Sequence, residues 1–355
     1  MIQNNIQRRK SRKVKVGSLY IGGDAQIPIQ SMTTTDTTDA KATIEQIHGL
    51  EDVGCEIIRV SAPTMDAAKA LKEIKKNITI PLVVDIHFDY RIALEAVNYV
   101  DKLRINPGNI GNPDKVQQVV KACKDLGVPM RIGVNLGSLE RDLYEKYGYA
   151  PEAMVESALR HIKILEDQNF YDIVVSLKAS DVPRMVKAYK LFAEKTDYPL
   201  HLGVTEAGSK IPGAVKSAIG MGMLLSEGIG DTIRVSLSED PREEVKVGKQ
   251  ILRSLGLRND GVQVTSCPTC ARTHIDVIKL VEEIENETEK IKKPIHVAVM
   301  GCAVNGPGES RKADLGIVGA PGNHLLYKDG KIVKRINDNE IKEVLLKEIN
   351  EIANN

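Results

Sequence analysis

The chain of 355 residues contains no run of about 18 apolar residues, which leaves no candidate for a membrane-spanning helix. Its first residues lack the apolar stretch that a secretory signal requires. There is no excess of charge either. Lys and Arg number 49 against 48 Asp and Glu, a formal net charge of +1, so no nucleic-acid-binding or membrane-binding surface is indicated. The basic run Arg8-Arg9-Lys10-Ser11-Arg12-Lys13 is local and reads as a solvated terminus. Cysteine is scarce: five residues, an odd number in a long chain, argue against a disulfide framework and for a reducing cytoplasm. No G-x-G-x-x-G follows the first candidate strand, which counts against an open doubly wound sheet.

What is present is a regular alternation. Short β-branched segments at 27–32, 55–61, 82–87, 102–106, 130–135, 173–178, 200–205 and 232–237 read as strands. Amphipathic patterns at 66–76, 113–126, 151–168 and 181–195 read as helices between them. Eight strands with helical crossovers predict an α/β fold, a TIM (β/α)8 barrel spanning residues 1–257. Residues 14–24 read as a hairpin closing the bottom of that barrel. Cys55 and Cys123 fall in a strand and a helix and read as small core residues.

Buried parallel strands should be continuously apolar, yet six of these carry polar residues at period-two spacing: Arg59/Ser61, Asp85/His87, Arg104/Asn106, Arg131/Asn135 with Gly133 between, Ser176/Lys178 and Arg234/Ser236. Residues two apart share a face, and in a barrel the face that avoids the helices is the lumen. Four arginines and Lys178 therefore point inward, with Asp85 and Glu206 available to neutralise them. Two carboxylates are too few, and an unpaired buried cation costs several kcal/mol. A multiply charged anion, best a diphosphate matched to guanidinium forks, resolves the excess. Asn106, Asn135, Ser176 and Ser236 offer partners to ligand hydroxyls. Glu206, in the T-E-A-G-S-K loop after the seventh strand, stands where barrel enzymes place catalytic groups. It reads equally as an ion-pair partner of Arg234 or Lys178.

Residues 258–263 read as a linker, and 264–355 as an α+β module with strands at 262–265, 295–300, 315–318, 325–327 and 332–336 and helices at 275–291 and 339–352. The module carries S-C-P-T-C-A-R, with Cys267 and Cys270, and G-C-A-V-N-G-P-G-E, with Cys302 and Glu309. Three thiols at this spacing suit an iron–sulfur cluster with an exchangeable fourth position. A structural zinc site and a redox dithiol remain open. Zinc would want a fourth Cys or His, and the next histidine, His324, lies beyond a Pro-Gly turn. A dithiol leaves Cys302 without a role.

These two cysteine motifs, together with the opening P-I-Q-S-M-T-T-T-D-T, resemble the 4-hydroxy-3-methylbut-2-enyl diphosphate synthase family in its two-domain bacterial form. One departure is Ala271, where that family usually has glycine. The resemblance implies an iron–sulfur oxidoreductase. It would open and dehydrate 2-C-methyl-D-erythritol 2,4-cyclodiphosphate to (E)-4-hydroxy-3-methylbut-2-enyl diphosphate, for isoprenoid precursors. It implies a [4Fe-4S] cluster on Cys267, Cys270, Cys302 and Glu309, in a module resembling those of sulfite and nitrite reductases. It also implies electrons from flavodoxin or ferredoxin, Glu206 in proton transfer, and a homodimer in which one subunit's barrel faces the other's cluster. A short linker leaving the barrel at its N-terminal face predicts the same sharing. The competing expectations are a barrel transferase of the pterin-binding kind, or a binder of a phosphate ligand bearing a structural zinc or cluster module.

Overall fold

The computed structural model describes residues 6–106, 110 and 112–354. The chain divides into two compact units between Leu257 and Arg258. The first opens with an antiparallel hairpin, β1 (Val14–Val16) and β2 (Leu19–Ile21). Six parallel strands follow in chain order: β3 (Gln30–Met32), β4 (Ile57–Ser61), β5 (Leu82–Asp85), β6 (Lys102–Ile105), β7 (Met130–Asn135) and β8 (Ile173–Lys178). β9 (His201–Leu202) and β10 (Thr232–Ile233) form a separate parallel pair. Single parallel bridges, Val175 with Leu200 and Ile29 with Ile233, link that pair to β8 on one side and β3 on the other. The pairing thus passes around eight segments and returns to its start, as a barrel requires.

Helices alternate with the strands because the sequence gives them clear starts. Asp39, Thr64, Asp89, Asn112, Asp181 and Asp240 each accept a hydrogen bond from a first-turn amide of the helix they precede, satisfying donors with no partner inside the helix. Pro113, Pro151 and Pro241 occupy first turns, where the missing N–H costs nothing. The outward residues of the strands, among them Ile58, Val84, Leu103, Ile132 and Val175, join the helices in one continuous core. The inward residues Ile57, Val83 and Val174 pack instead against Val14, Val16 and Ile21 of the hairpin. The hairpin therefore plugs the N-terminal end of the barrel, as expected from the sequence.

The last two strands are shorter than the sequence suggests, two residues each in place of six. Tyr189 explains how the wall holds there. Its buried hydroxyl donates to the His201 carbonyl at 2.6 Å and accepts from the Leu177 amide at 3.0 Å. One side chain thus replaces ladder bonds between β8 and β9.

The second unit is a five-stranded sheet in chain order: β11 (Val262–Ser266), β12 (Ile295–Met300), β13 (Leu315–Val318), β14 (His324–Lys328) and β15 (Lys331–Ile336). The first three are parallel and the last two antiparallel. Asp329 and Gly330 both take positive φ, 49° and 76°, the requirement of a tight two-residue hairpin turn. Helices Val277–Glu287 and Ile341–Asn354 lay Leu280, Ile284, Leu345 and Ile349 on Val297, Leu315, Ile317 and Leu326. Among the described residues no helix is long and apolar enough to cross a membrane.

Tyr189→Phe should destabilise the protein by about 1–3 kcal/mol, because it strands a buried amide and a buried carbonyl. Urea unfolding measures this, and an unchanged midpoint would show that the hydroxyl is not holding the wall.

Candidate functional site

Register puts the polar residues of the first unit on one face. Met32 pairs with Arg59, Ser61 with Asp85, Asp85 with Arg104, Arg104 with Arg131, and Asn135 with Lys178. Paired residues share a face of the sheet, and here it is the lumen. Depth varies along it. Arg131 and Ser176 are the deepest, at 1% and 2% exposed, and Arg59, Asp85, Arg104 and Lys178 are also buried. Asn106, Asn135, Arg234 and Ser236 are half-buried, while His87 and Glu206 are exposed at the rim.

Asp85 is the hub. Its carboxylate meets Arg104 at 2.7 Å, His87 at 3.3 Å and Arg59 at 3.8 Å. Burial acts to raise the Asp85 pKa, but the hydrogen bond from His87 and the charges of Arg104 and Arg59 outweigh it. The group titrates well below the usual carboxylate range. Gly133 makes room for this arrangement: a Cβ there would lie 2.7 Å from Arg104 Nε.

Arg234 corrects an expectation. Its partner is not Glu206 but Glu244, which it meets at 3.3 Å. Glu244 projects from helix Pro241–Ser254, is 4% exposed, and also accepts from Ser31 Oγ at 2.9 Å and the Leu237 amide at 3.1 Å. Glu206 instead sits on the loop after β9 with a left-handed backbone, φ 52°. That conformation is sparsely populated by residues with a side chain and clusters at functional loops. Met32 was also missed: its sulfur accepts from Arg59 at 2.8 and 3.1 Å and from Arg234 at 3.7 Å.

Even with Glu244 counted, the lumen is cationic. Among the described residues neither Arg131 nor Lys178 has a carboxylate partner, and Arg131 Nε and Nη1 are buried without a hydrogen bond. Burial, then the charges of Arg234, Arg131 and Arg59, push Lys178 far below the ordinary lysine range. Burial and the charge of Arg234 bring Arg59 down to about 9. Two further buried bases, Lys102 and His201, lie on the same face. Lys102 was legible, since it stands two residues before Arg104. His201 was hidden in a strand with no polar residue two positions on.

In the second unit, Cys267 directly follows β11 and Cys302 lies just past β12, the strand paired with it. The Gly301 amide donates to Cys267 Sγ at 3.1 Å. Cys267, Cys302 and Glu309 are half-buried, and Cys270 is exposed. A hydrogen bond from the Arg272 backbone, with the Arg272 charge and the Thr273 hydroxyl, lowers the Cys270 pKa. By contrast, burial pushes Cys55 up to about 12 and raises Cys123 as well, so these two are core residues. Glu309 lies in the short helix Gly306–Ser310 beside Lys312, at 3.3 Å. Gly306 is required there because a Cβ would come within 2.5 Å of Val318. Ala271 is exposed and outside the left-handed region, so its backbone does not demand glycine. Both ring nitrogens of His324 are engaged, with Asp338 at 2.7 Å and the Ala320 amide at 3.2 Å, which removes it as a zinc ligand.

Among the described residues no three Cys, His, Asp or Glu side chains are grouped to hold a single metal ion. A four-iron cluster is broader than one ion, so its thiolates stand farther apart. Three free thiols on neighbouring strand ends, one already receiving an amide hydrogen bond, suit that group's donor chemistry.

Comparison with known proteins follows the same division. Residues 11–249 match the family model described as the GcpE TIM-barrel domain, and residues 263–351 match the GcpE protein C-terminal domain. A Clostridium acetobutylicum protein named 4-hydroxy-3-methylbut-2-en-1-yl diphosphate synthase (flavodoxin) is 57% identical over 346 residues, covering 97% of this chain and 99% of its own. The Bacillus subtilis protein of the same name is 57% identical over 348 residues, covering 98% and 92%. Among solved structures, dihydropteroate synthases from Yersinia pestis and Stenotrophomonas maltophilia align with a TM-score of 0.50 each, at 10% and 13% identity. They cover 69% of this chain and 98% of their own, a likeness of fold alone.

Asp85→Asn should cost about 3–5 kcal/mol at neutral pH, since it leaves buried arginines without their anion. A depressed carboxylate pKa stabilises the fold above the unfolded value of about 3.9, and that stability is lost as pH falls through the folded value. The difference between wild type and variant should therefore shrink below about pH 4. Denaturant midpoints at pH 7 and pH 3 decide it; a loss under about 1 kcal/mol at pH 7 would contradict the hub role.

Proposed function

The chain belongs to the GcpE family of 4-hydroxy-3-methylbut-2-en-1-yl diphosphate synthases, and from that premise we propose how its residues share the reaction. Its activity is that of an iron–sulfur oxidoreductase making this diphosphate for isoprenoid precursors by the methylerythritol phosphate route. The cyclic substrate, 2-C-methyl-D-erythritol 2,4-cyclodiphosphate, binds in the mouth of the barrel. One observation carries this placement: Arg59, Arg104, Arg131, Arg234 and Lys178 face one lumen, and among the described residues Asp85 and Glu244 are the carboxylates paired to them.

The arginines grip the diphosphate in bidentate fashion and stabilise the charge that grows on it as the ring opens. Lys178 adds a point charge. Asn106, Asn135, Ser176 and Ser236 take the substrate's hydroxyl-bearing carbons, and His87 closes over them from the rim. Glu206 donates the proton that turns the departing hydroxyl into water. Its left-handed backbone fixes that carboxyl on the loop.

Cys267, Cys270 and Cys302 hold a [4Fe-4S] cluster, with Glu309 as the weaker fourth ligand, in a module of the sulfite and nitrite reductase kind. When bound, the cluster supplies the two electrons that the ring opening consumes, one at a time. The donor is flavodoxin, the protein named in the relatives' titles, acting on a cytoplasmic homodimer whose subunits share active sites. The pterin-transferase reading has only a likeness of fold behind it. The relatives above 50% identity span both units.

Anaerobically purified protein should carry about four irons with matching acid-labile sulfide. Cys302→Ser should lose most of the iron and all turnover; zinc without sulfide would overturn the cluster assignment. Separately, Arg131→Met and Arg234→Met should each weaken substrate binding by about 2 kcal/mol without unfolding the protein. Unchanged affinity in both would place the diphosphate elsewhere.

A further inference from the structure

Beneath the arginines the lumen does not turn apolar at once. Gln30, Lys102 and His201 share the inward face, as their register with Ile57, Val83 and Thr232 shows. Lys102 and His201 are 0% exposed and Gln30 is 1% exposed. Lys102 Nζ, both ring nitrogens of His201, both amide atoms of Gln30, and Nε and Nη1 of Arg131 have no hydrogen-bond partner among the described residues. Barrel interiors are ordinarily filled by packed apolar layers, and buried polar atoms are ordinarily satisfied. Below this layer the hairpin plug closes the barrel.

The groups acting on Lys102 are Arg131 from β7 and Arg59 from β4. His201 on β9 feels Lys102 together with Arg131, Lys178 and Arg59. The carboxylates around them are committed: Asp85 on β5 to Arg104, Arg59 and His87, Glu244 to Arg234, Asp101 to Lys75 and the Leu82 amide, and Asp231 to Arg8 and the Leu200 amide. So many positive charges cannot all persist in one low-dielectric lumen. Guanidinium groups keep their protons. Lysine surrenders its proton readily when buried. Burial depresses both lumen lysines, but Lys178 keeps 7% exposure toward the mouth, whereas Lys102 is 0% exposed beneath Arg131 and Arg59, so the proton is lost first from Lys102.

We propose that Lys102 is the proton-accepting residue of the substrate site, taking up one proton from the buffer as the diphosphate settles on Arg131 above it. The inference rests on the placement of the diphosphate given under Proposed function. Two negative charges entering a low-dielectric lumen favour the ammonium that the surrounding guanidinium groups disfavour. The amine becomes an ammonium, the buffer acid gives up the proton, and no electrons move. Lys102 touches no reacting atom; it is a positioning residue that completes the neutralisation of the ligand from below. Affinity then depends on pH, falling by up to about tenfold per unit of rising pH where the free amine is neutral and the bound one is charged.

The test is calorimetric titration of the anaerobic, unreduced holoenzyme with 2-C-methyl-D-erythritol 2,4-cyclodiphosphate at pH 8 in Tris and in Hepes. Each phosphorus of this ligand carries one ester and one anhydride oxygen, leaving a single strongly acidic hydroxyl and no proton that titrates above pH 7. Wild type should show a buffer-dependent enthalpy equal to about one proton taken up, with affinity falling between pH 7 and 9. Lys102→Met, or Lys102→Gln should the first not fold, should abolish the uptake and flatten the pH profile, while His201→Gln retains both. No uptake in wild type, or undiminished uptake in the Lys102 variants, overturns the inference and leaves the diphosphate placement intact. No binding heat in wild type overturns that placement and this inference with it.

Discussion

More positive charge faces the barrel lumen than its two buried carboxylates can balance, and much of the first unit is arranged around that imbalance. Asp85 neutralises the charge of Arg104 and, more loosely, of Arg59. Glu244 does so for Arg234. Arg131 and Lys178 are left to the field of their neighbours. Removing several cations from water without partners opposes folding. The surrounding structure must supply the compensating stability, and a bound anion returns much of it.

The compensation is visible in how the walls are built. Outward faces of the strands are apolar, apart from Ser31, and feed one core shared with the helices. Side-chain caps and first-turn prolines define the helix starts. At the thinnest part of the wall, between β8 and β9, the Tyr189 hydroxyl replaces two ladder contacts. The hairpin plug buries Val14, Val16 and Ile21 at the end opposite the charges, sealing the lumen where water would otherwise relieve the strain. Charge and enclosure are therefore parts of one device, because a cationic lumen open at both ends would be screened.

Much of this was legible in the sequence, for a specific reason. Period-two alternation reports which residues share a face, so the sequence alone assigns Arg59, Asp85, Arg104, Arg131 and Lys178 to one interior. What alternation cannot report is a residue arriving from a helix. Glu244 is such a residue, and its absence from the reading left Arg234 matched with Glu206, whose left-handed backbone holds it on an exposed loop instead. Nor does alternation reveal where a ladder stops: 200–205 and 232–237 are as β-branched as their neighbours, yet only two residues of each pair as strand. In the second unit, motif spacing pointed to the three thiols. The amide bond from Gly301 to Cys267 and the double engagement of His324 required the fold.

The depth of each lumen residue bears on its role. Arg131, proposed to grip the ligand's charge, lies deep in the lumen at 1% exposed, where a low dielectric strengthens its field. His87 and Glu206, by contrast, are exposed at the rim. Lys102 reverses the correlation: it is a titratable group at full depth. A buried base with no acid beside it changes protonation only when the charge above it changes. The proposed proton uptake therefore ties Lys102 to occupancy of the site.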